Sequence, residues 1–195
     1  RGAVDLKVLK LWAPVIFIAT LAGGLMARWY SGDVLRIVFG VLALIIAANI
    51  VLPFQERLIG QFRSSNLAHR IAAAVVGYLS ALMGIGGGSF TVPPLHAFGG
   101  SMHTAVGTSA AIGGAIAGAG TIGFAISGWG VAGLPPLSLG YVNLVAFVFI
   151  AATAYLSAPL GAALAHRLNQ RALKLVFAGF MVFVGFSMIW KAIAG

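Results

Sequence analysis

Apolar runs long enough to cross a bilayer alternate with short polar connectors along this chain. Leu11 to Trp29 supplies about nineteen apolar positions, enough for a hydrocarbon core of ~30 Å, with Pro14 near its start, where a missing N–H costs little. Arg28, Trp29, Tyr30, Gly32 and Asp33 read as an interfacial turn with an aromatic anchor. Val34 to Leu52 is a second span, ended by Pro53. The composition then turns polar, and Ser65 or Asn66 is placed to cap the next apolar element. Leu67 to Met83 is apolar but runs into Gly84-Ile85-Gly86-Gly87-Gly88, and Ser89 to Phe98 comes after it as a shorter apolar piece. The pattern predicts a broken, hairpin-like element over 67–98, a turn at Gly99-Gly100-Ser101, and transmembrane helices over about 102–127, 138–165 and 172–191, the second interrupted at Pro159. Residues 1–53 then form two transmembrane helices, 54–66 a polar connector and 67–195 the remainder.

Composition agrees. Hydrophobic residues make up 61% and charged residues 8%, with a mean hydropathy of +1.04, whereas a soluble domain carries roughly 25% charged residues. The fold class read here is an all-α polytopic membrane protein, a helical bundle in a lipid bilayer. The net charge of +9 comes from twelve Lys and Arg spread over the connectors, a pattern of topology signals and not a nucleic-acid surface. There is no Cys, and His69, His96, His103 and His166 have no ligand spacing, so neither a metal nor another cofactor is expected. Asp5, Asp33 and Glu56 all fall in connectors, which leaves no intramembrane carboxylate for proton relay or enzyme chemistry.

The glycine run is where chemistry can sit. Each Gly inside a helix costs roughly 1 kcal/mol relative to Ala, so Gly84, Gly86, Gly87 and Gly88 together oppose a continuous helix. Backbone N–H groups freed in hydrocarbon need a partner, and the N-terminus of a half-helix offers donors and a positive dipole end to an anion. The candidate substrate-binding groups are the backbone of Gly86, Gly87, Gly88 and Ser89 with the hydroxyls of Ser89, Thr108 and Ser109. Gly84, Pro93 and Gly107 are assigned structural parts, Pro93 at the exit of the hairpin. Such a donor-rich pocket suits a small anionic substrate and not a cation. The competing structural account is that the glycines only let helices approach while Thr108 and Ser109 bond back to their own helix. In the helix after the turn, Ser109, Gly113, Ala117 and Thr121 recur every four residues with Gly114 and Gly118 beside them, predicting the central packing face there. Tyr141 and Asn143 are read as the interfacial start of a helix.

An internal repeat is visible at an offset of 138 residues, which aligns Gly23 with Gly161 and Leu35-Arg36-Ile37-Val38-Phe39 with Leu173-Lys174-Leu175-Val176-Phe177. If the broken element crosses the membrane, basic residues divide seven to five between the two sides; if it dips in and returns, nine to three. The positive-inside rule favours the re-entrant arrangement, which also sets the two repeats in inverted orientation.

Gly84-Ile85-Gly86-Gly87-Gly88, then Val92-Pro93, then Ala105-Val106-Gly107-Thr108-Ser109 resembles the sulfite exporter TauE/SafE family of membrane transporters. Gly140-Tyr141-Val142-Asn143-Leu144 and the stretch from Pro159-Leu160-Gly161 to His166-Arg167 are similar to that family's second half. The resemblance implies two inverted repeats, each opening on a glycine motif, and export of sulfite, sulfonates or related anions across the bacterial inner membrane by a multi-pass protein. Against that pattern, Arg1-Gly2-Ala3-Val4-Asp5 resembles the turn after the first repeat's Thr-Ser pair. The expectation is therefore that the first half of repeat one is missing and the partner site comes from that half or from a homo-oligomer. The alternative from another functional class is a noncatalytic membrane scaffold whose Gly-rich face packs on another chain.

Overall fold

The structure, a computed structural model, describes residues 4–51, 65–84, 86–99, 101–167 and 170–194. Pro53, the connector over 54–64, Ile85 and Gly100 lie outside the described residues. The helices are α1 (Leu6–Met26), α2 (Gly32–Val51), α3 (Asn66–Met83), α4 (Gly87–Ala97), α5 (Met102–Ser127), α6 (Leu144–Arg167) and α7 (Gln170–Ala194), with a 3-10 turn at Ala27–Trp29. Two two-residue strands, β1 (Ser138–Leu139) and β2 (Val142–Asn143), pair antiparallel. By length and composition, Leu6–Trp29 and Thr104–Ser127 are the described segments long and apolar enough to cross a membrane.

Local chemistry explains where the boundaries depart from expectation. The first helix begins at Leu6, not Leu11, because the Asp5 carboxylate accepts from the Lys7 and Val8 N–H groups and caps it. Pro14 consequently sits inside α1 and cannot donate to the Lys10 carbonyl. Ser65 caps α3 through the Ala68 N–H. Residues 138–143 are a hairpin and not the start of a helix; α6 begins at Leu144, where the Asn143 side chain accepts from the Ala146 N–H. One helix start also repeats: Leu144 lies 138 residues beyond Leu6.

The chain divides into two compact units that interleave along the sequence. In the first (residues 1–31 and 53–127), α1 packs against α3 and α5, and α4 against α5 and α3. Trp12, Ile16, Thr20, Gly23 and Gly24 form the buried stripe of α1, at the spacing of one helical face. Trp12 and Ile16 meet Ala73, Val76, Leu95, Phe98, Ala105, Ile112 and Ile116 in one core. The α1–α5 crossing is close: a Cβ on Gly24 would lie 3.1 Å from the Gly123 Cα, the small-residue contact that membrane helices favour. In the second unit (residues 32–52 and 128–195), α2 and α7 pack through Ala43, Ala47 and Met181.

The packing face of α5 differs from the expected stripe. Ser109 is buried, but the row continues through Ile112, Ile116, Ala119, Gly120 and Gly123, while Gly114, Ala117, Gly118 and Thr121 are exposed. The helix is turned by one residue position, about 100°, from the face the small residues suggested.

Candidate functional site

The break in the α3–α4 chain is short and built by glycine. α3 ends where Gly84 enters the left-handed region (φ 63°, ψ 21°), its N–H donating back to the Ser80 and Ala81 carbonyls. Glycine enters that region without the Cβ strain other residues meet. Gly86 is extended (φ −63°, ψ 159°) and holds the cap position of α4. Gly87 and Gly88 are helical, so the interruption spans Gly84 to Gly86 and the two later glycines form the first turn of α4 instead of extending the break. Gly86, at the cap position, has no side chain with which to cap that turn. The first N–H groups of a helix have no intrahelical acceptor, so the α4 N-terminus presents donors and the positive dipole end beside a sequence free of charge from Gly84 to Phe90.

Pro93 is inside α4, and the helix exits through Phe98 and Gly99, the latter with φ 97°. Thr108 is fully buried, and its Oγ1 accepts from the Asp5 N–H at 2.9 Å, which ties α5 to the start of α1. The Ser109 hydroxyl is buried and donates to the Val106 carbonyl of its own helix at 2.9 Å. No described contact joins either hydroxyl to Gly86.

Thr108 instead lines a pocket of ≈280 Å³ with Asp5, Val8, His69, Leu95, Phe98, Gly99, Thr104 and Ala105. Its wall is an aromatic cluster. The buried His69 stacks on Phe98 with centroids 3.9 Å apart, and Trp12 lies edge-on to both. The Trp12 Nε1–H donates to His69 Nδ1 at 3.0 Å, which puts the neutral ring's proton on Nε2. The Asp5 carboxylate is held by the N–H groups of Lys7 and Val8. Sequence reading missed this cluster, since Trp12 and His69 are 57 residues apart and share no motif. It also missed two buried hydroxyls, Ser80 and Thr91, that have no hydrogen-bond partner among the described residues. A larger pocket of ≈320 Å³ lies in the second unit over Gly128–Gly140 and has no charged lining residue. Among the described residues no cluster of His, Asp and Glu could hold a metal ion.

Comparison with known proteins matches the family described as sulfite exporter TauE/SafE over residues 1–188. A "Probable membrane transporter protein" of Haemophilus influenzae is 32% identical over 190 residues, covering 97% of this chain and 72% of the relative. No solved structure matches.

Proposed function

Since this chain belongs to the sulfite exporter TauE/SafE family and is a membrane transporter, we propose that it moves a small sulfur oxyanion, sulfite or an organosulfonate, outward across the bacterial inner membrane. The observation that carries the anion assignment is the α4 N-terminus, glycine-built, with no side chain at its cap position and without a neighbouring charge in the sequence. Gly86, Gly87, Gly88 and Ser89 supply backbone donors, and Thr108 and Ser109 complete the site when their present hydrogen bonds rearrange. The site is reached as the two repeats move against each other, as in other transporters built from inverted repeats. The matching starts of α1 and α6 at an offset of 138 residues support the repeat. The nine-to-three division of basic residues supports a re-entrant α3–α4 hairpin in a multi-pass protein.

Flux of labelled sulfite, sulfate and a sulfonate into proteoliposomes, with and without a proton gradient, tests the function. Sulfite or sulfonate flux above that of sulfate is expected; equal leakage of all three in protein-containing and empty vesicles refutes it. The hairpin is tested separately. The chain has no Cys, so single cysteines at Ser64 and Ser101 report accessibility directly. Both label from the same side if the segment is re-entrant, and from opposite sides if it crosses.

The scaffold reading has one observation in its favour, the exposed small-residue face of α5 at Gly114, Ala117, Gly118 and Thr121. A stable complex through that face together with absent flux would establish it.

A further inference from the structure

Two buried hydroxyls flank the helix break and bond to nothing among the described residues. Thr91 is 0% exposed and Ser80 1% exposed, and neither Oγ has a hydrogen-bond partner. Each sits one helical turn from the break: Ser80 four residues before Gly84, Thr91 four residues after Gly87. A Ser or Thr inside a helix ordinarily satisfies its hydroxyl on the carbonyl three or four residues back. Ser109, Thr121 and Thr153 do so in this chain, on Val106, Ala117 and Phe149. Thr91 does not take the equivalent carbonyls of Gly87 or Gly88. A buried hydroxyl left in this condition is costly, and one so placed marks a position where a polar ligand comes within reach.

Direction adds to this. Helical side chains lean toward the helix N-terminus, over the turn that precedes them. For Thr91 that turn is Gly87-Gly88, which has no side chain to stand between the hydroxyl and the open N–H groups of α4.

On the reading that the break binds the anion, we propose that Thr91 is a further substrate-binding residue. Its hydroxyl completes the α4 N-terminal donors around a small oxyanion, with Ser80 the polar group on the opposite flank. A hydroxyl can donate to an anionic oxygen or accept from a protonated one, so the site takes oxyanions in either protonation state without a fixed cation.

The test uses the whole chain. Thr91→Val keeps the volume and removes the hydroxyl. Loss of one hydrogen bond to a charged group is expected to raise KM for sulfite roughly tenfold, with the maximal rate nearly unchanged and the thermal shift produced by sulfite in detergent lost. Thr91→Ser restores both, and Thr91→Ala does not. Ser80→Ala is expected to raise KM in the same direction. The proposal is overturned if Thr91→Val unfolds at higher temperature than wild type while KM and the sulfite-induced shift stay the same, the result for a hydroxyl that is merely buried. If Thr91→Val unfolds on purification, the Ser and Ala pair decides: equal KM in both overturns it. Gly86→Asp, measured in parallel, separates the two levels. Flux lost in Gly86→Asp but KM unchanged in Thr91→Val rejects Thr91 alone, whereas flux unchanged in both rejects the break as the site and Thr91 with it.

Discussion

Gly86→Asp is expected to reduce anion flux by roughly a hundredfold or more, since like charges brought together at a binding site cost several kcal/mol, while the protein unfolds at the same or a higher temperature. Gly86 already has the extended backbone of a cap residue, φ −63° and ψ 159°, which Asp adopts without strain. A Cβ at this position meets nothing within 4 Å. The new carboxylate therefore reaches the N–H groups of the first turn of α4, the same donors the anion requires, and fixes a negative charge at the dipole's positive end. Capping by Asp in place of Gly contributes a few tenths of a kcal/mol of stability, so lost transport cannot be assigned to unfolding. Gly86→Asn separates capping from charge: it competes for the same N–H groups without repelling the substrate and is expected to lose less flux. Gly86→Ala, which adds neither acceptor nor charge, should transport nearly as wild type. Wild-type flux in Gly86→Asp would remove the α4 N-terminus from the transport path.

How far this molecule was legible in its sequence depends on how lipid alters the code. A helix break in the glycine run could be read because glycine's backbone preferences act locally, whatever surrounds them, although Gly87 and Gly88 belong to α4 and not to the break. A cap was readable for the same reason at Ser65; caps were overlooked at Asn143, which the expected helix from residue 138 had enclosed, and at Asp5, whose carboxylate starts α1 inside what looked like a polar lead. The packing face of α5 was not readable. In water a buried face contrasts with a polar one, but here Ile112 and Ile116 are buried while Val106, Ile122 and Ile126 are exposed, so hydrophobicity carries no direction. The small residues then pointed to Gly113 and Ala117, one position from the buried row. Thr108 illustrates the same limit at the site. Nothing in its sequence neighbourhood, Gly107-Thr108-Ser109, points to the Asp5 backbone, 103 residues away, whose N–H donates to its hydroxyl.

Two glycine substitutions of identical chemistry should therefore diverge in stability. A Cβ on Gly77 would lie 2.8 Å from the Ile16 carbonyl oxygen and 3.1 Å from Thr20 Oγ1, both on the buried stripe of α1. Backbone atoms cannot rotate away as a side-chain tip can, so Gly77→Leu forces α1 and α3 apart. The separation also breaks the hydrogen bond from the Thr20 hydroxyl to the Gly77 carbonyl, 3.0 Å, and opens the core around Ile16 and Val76. Overpacking costs about 1–3 kcal/mol and the lost bond about 1 kcal/mol more. That exceeds the gain of about 1 kcal/mol from replacing Gly by a better helix former. Gly118→Leu has only the gain: a Cβ there meets nothing within 4 Å. Thermal unfolding in detergent should show Gly77→Leu unfolding several degrees below wild type and Gly118→Leu at or above it. The second variant also separates the two functional readings. If the exposed face of α5 holds a partner chain, Gly118→Leu disrupts that complex with the fold intact, because close helix approach requires the small residue. If the chain acts as a transporter through the break at Gly84–Gly86 with that face turned to lipid, Gly118→Leu leaves both assembly and flux as they were, since a leucine exchanged for glycine against hydrocarbon breaks no contact.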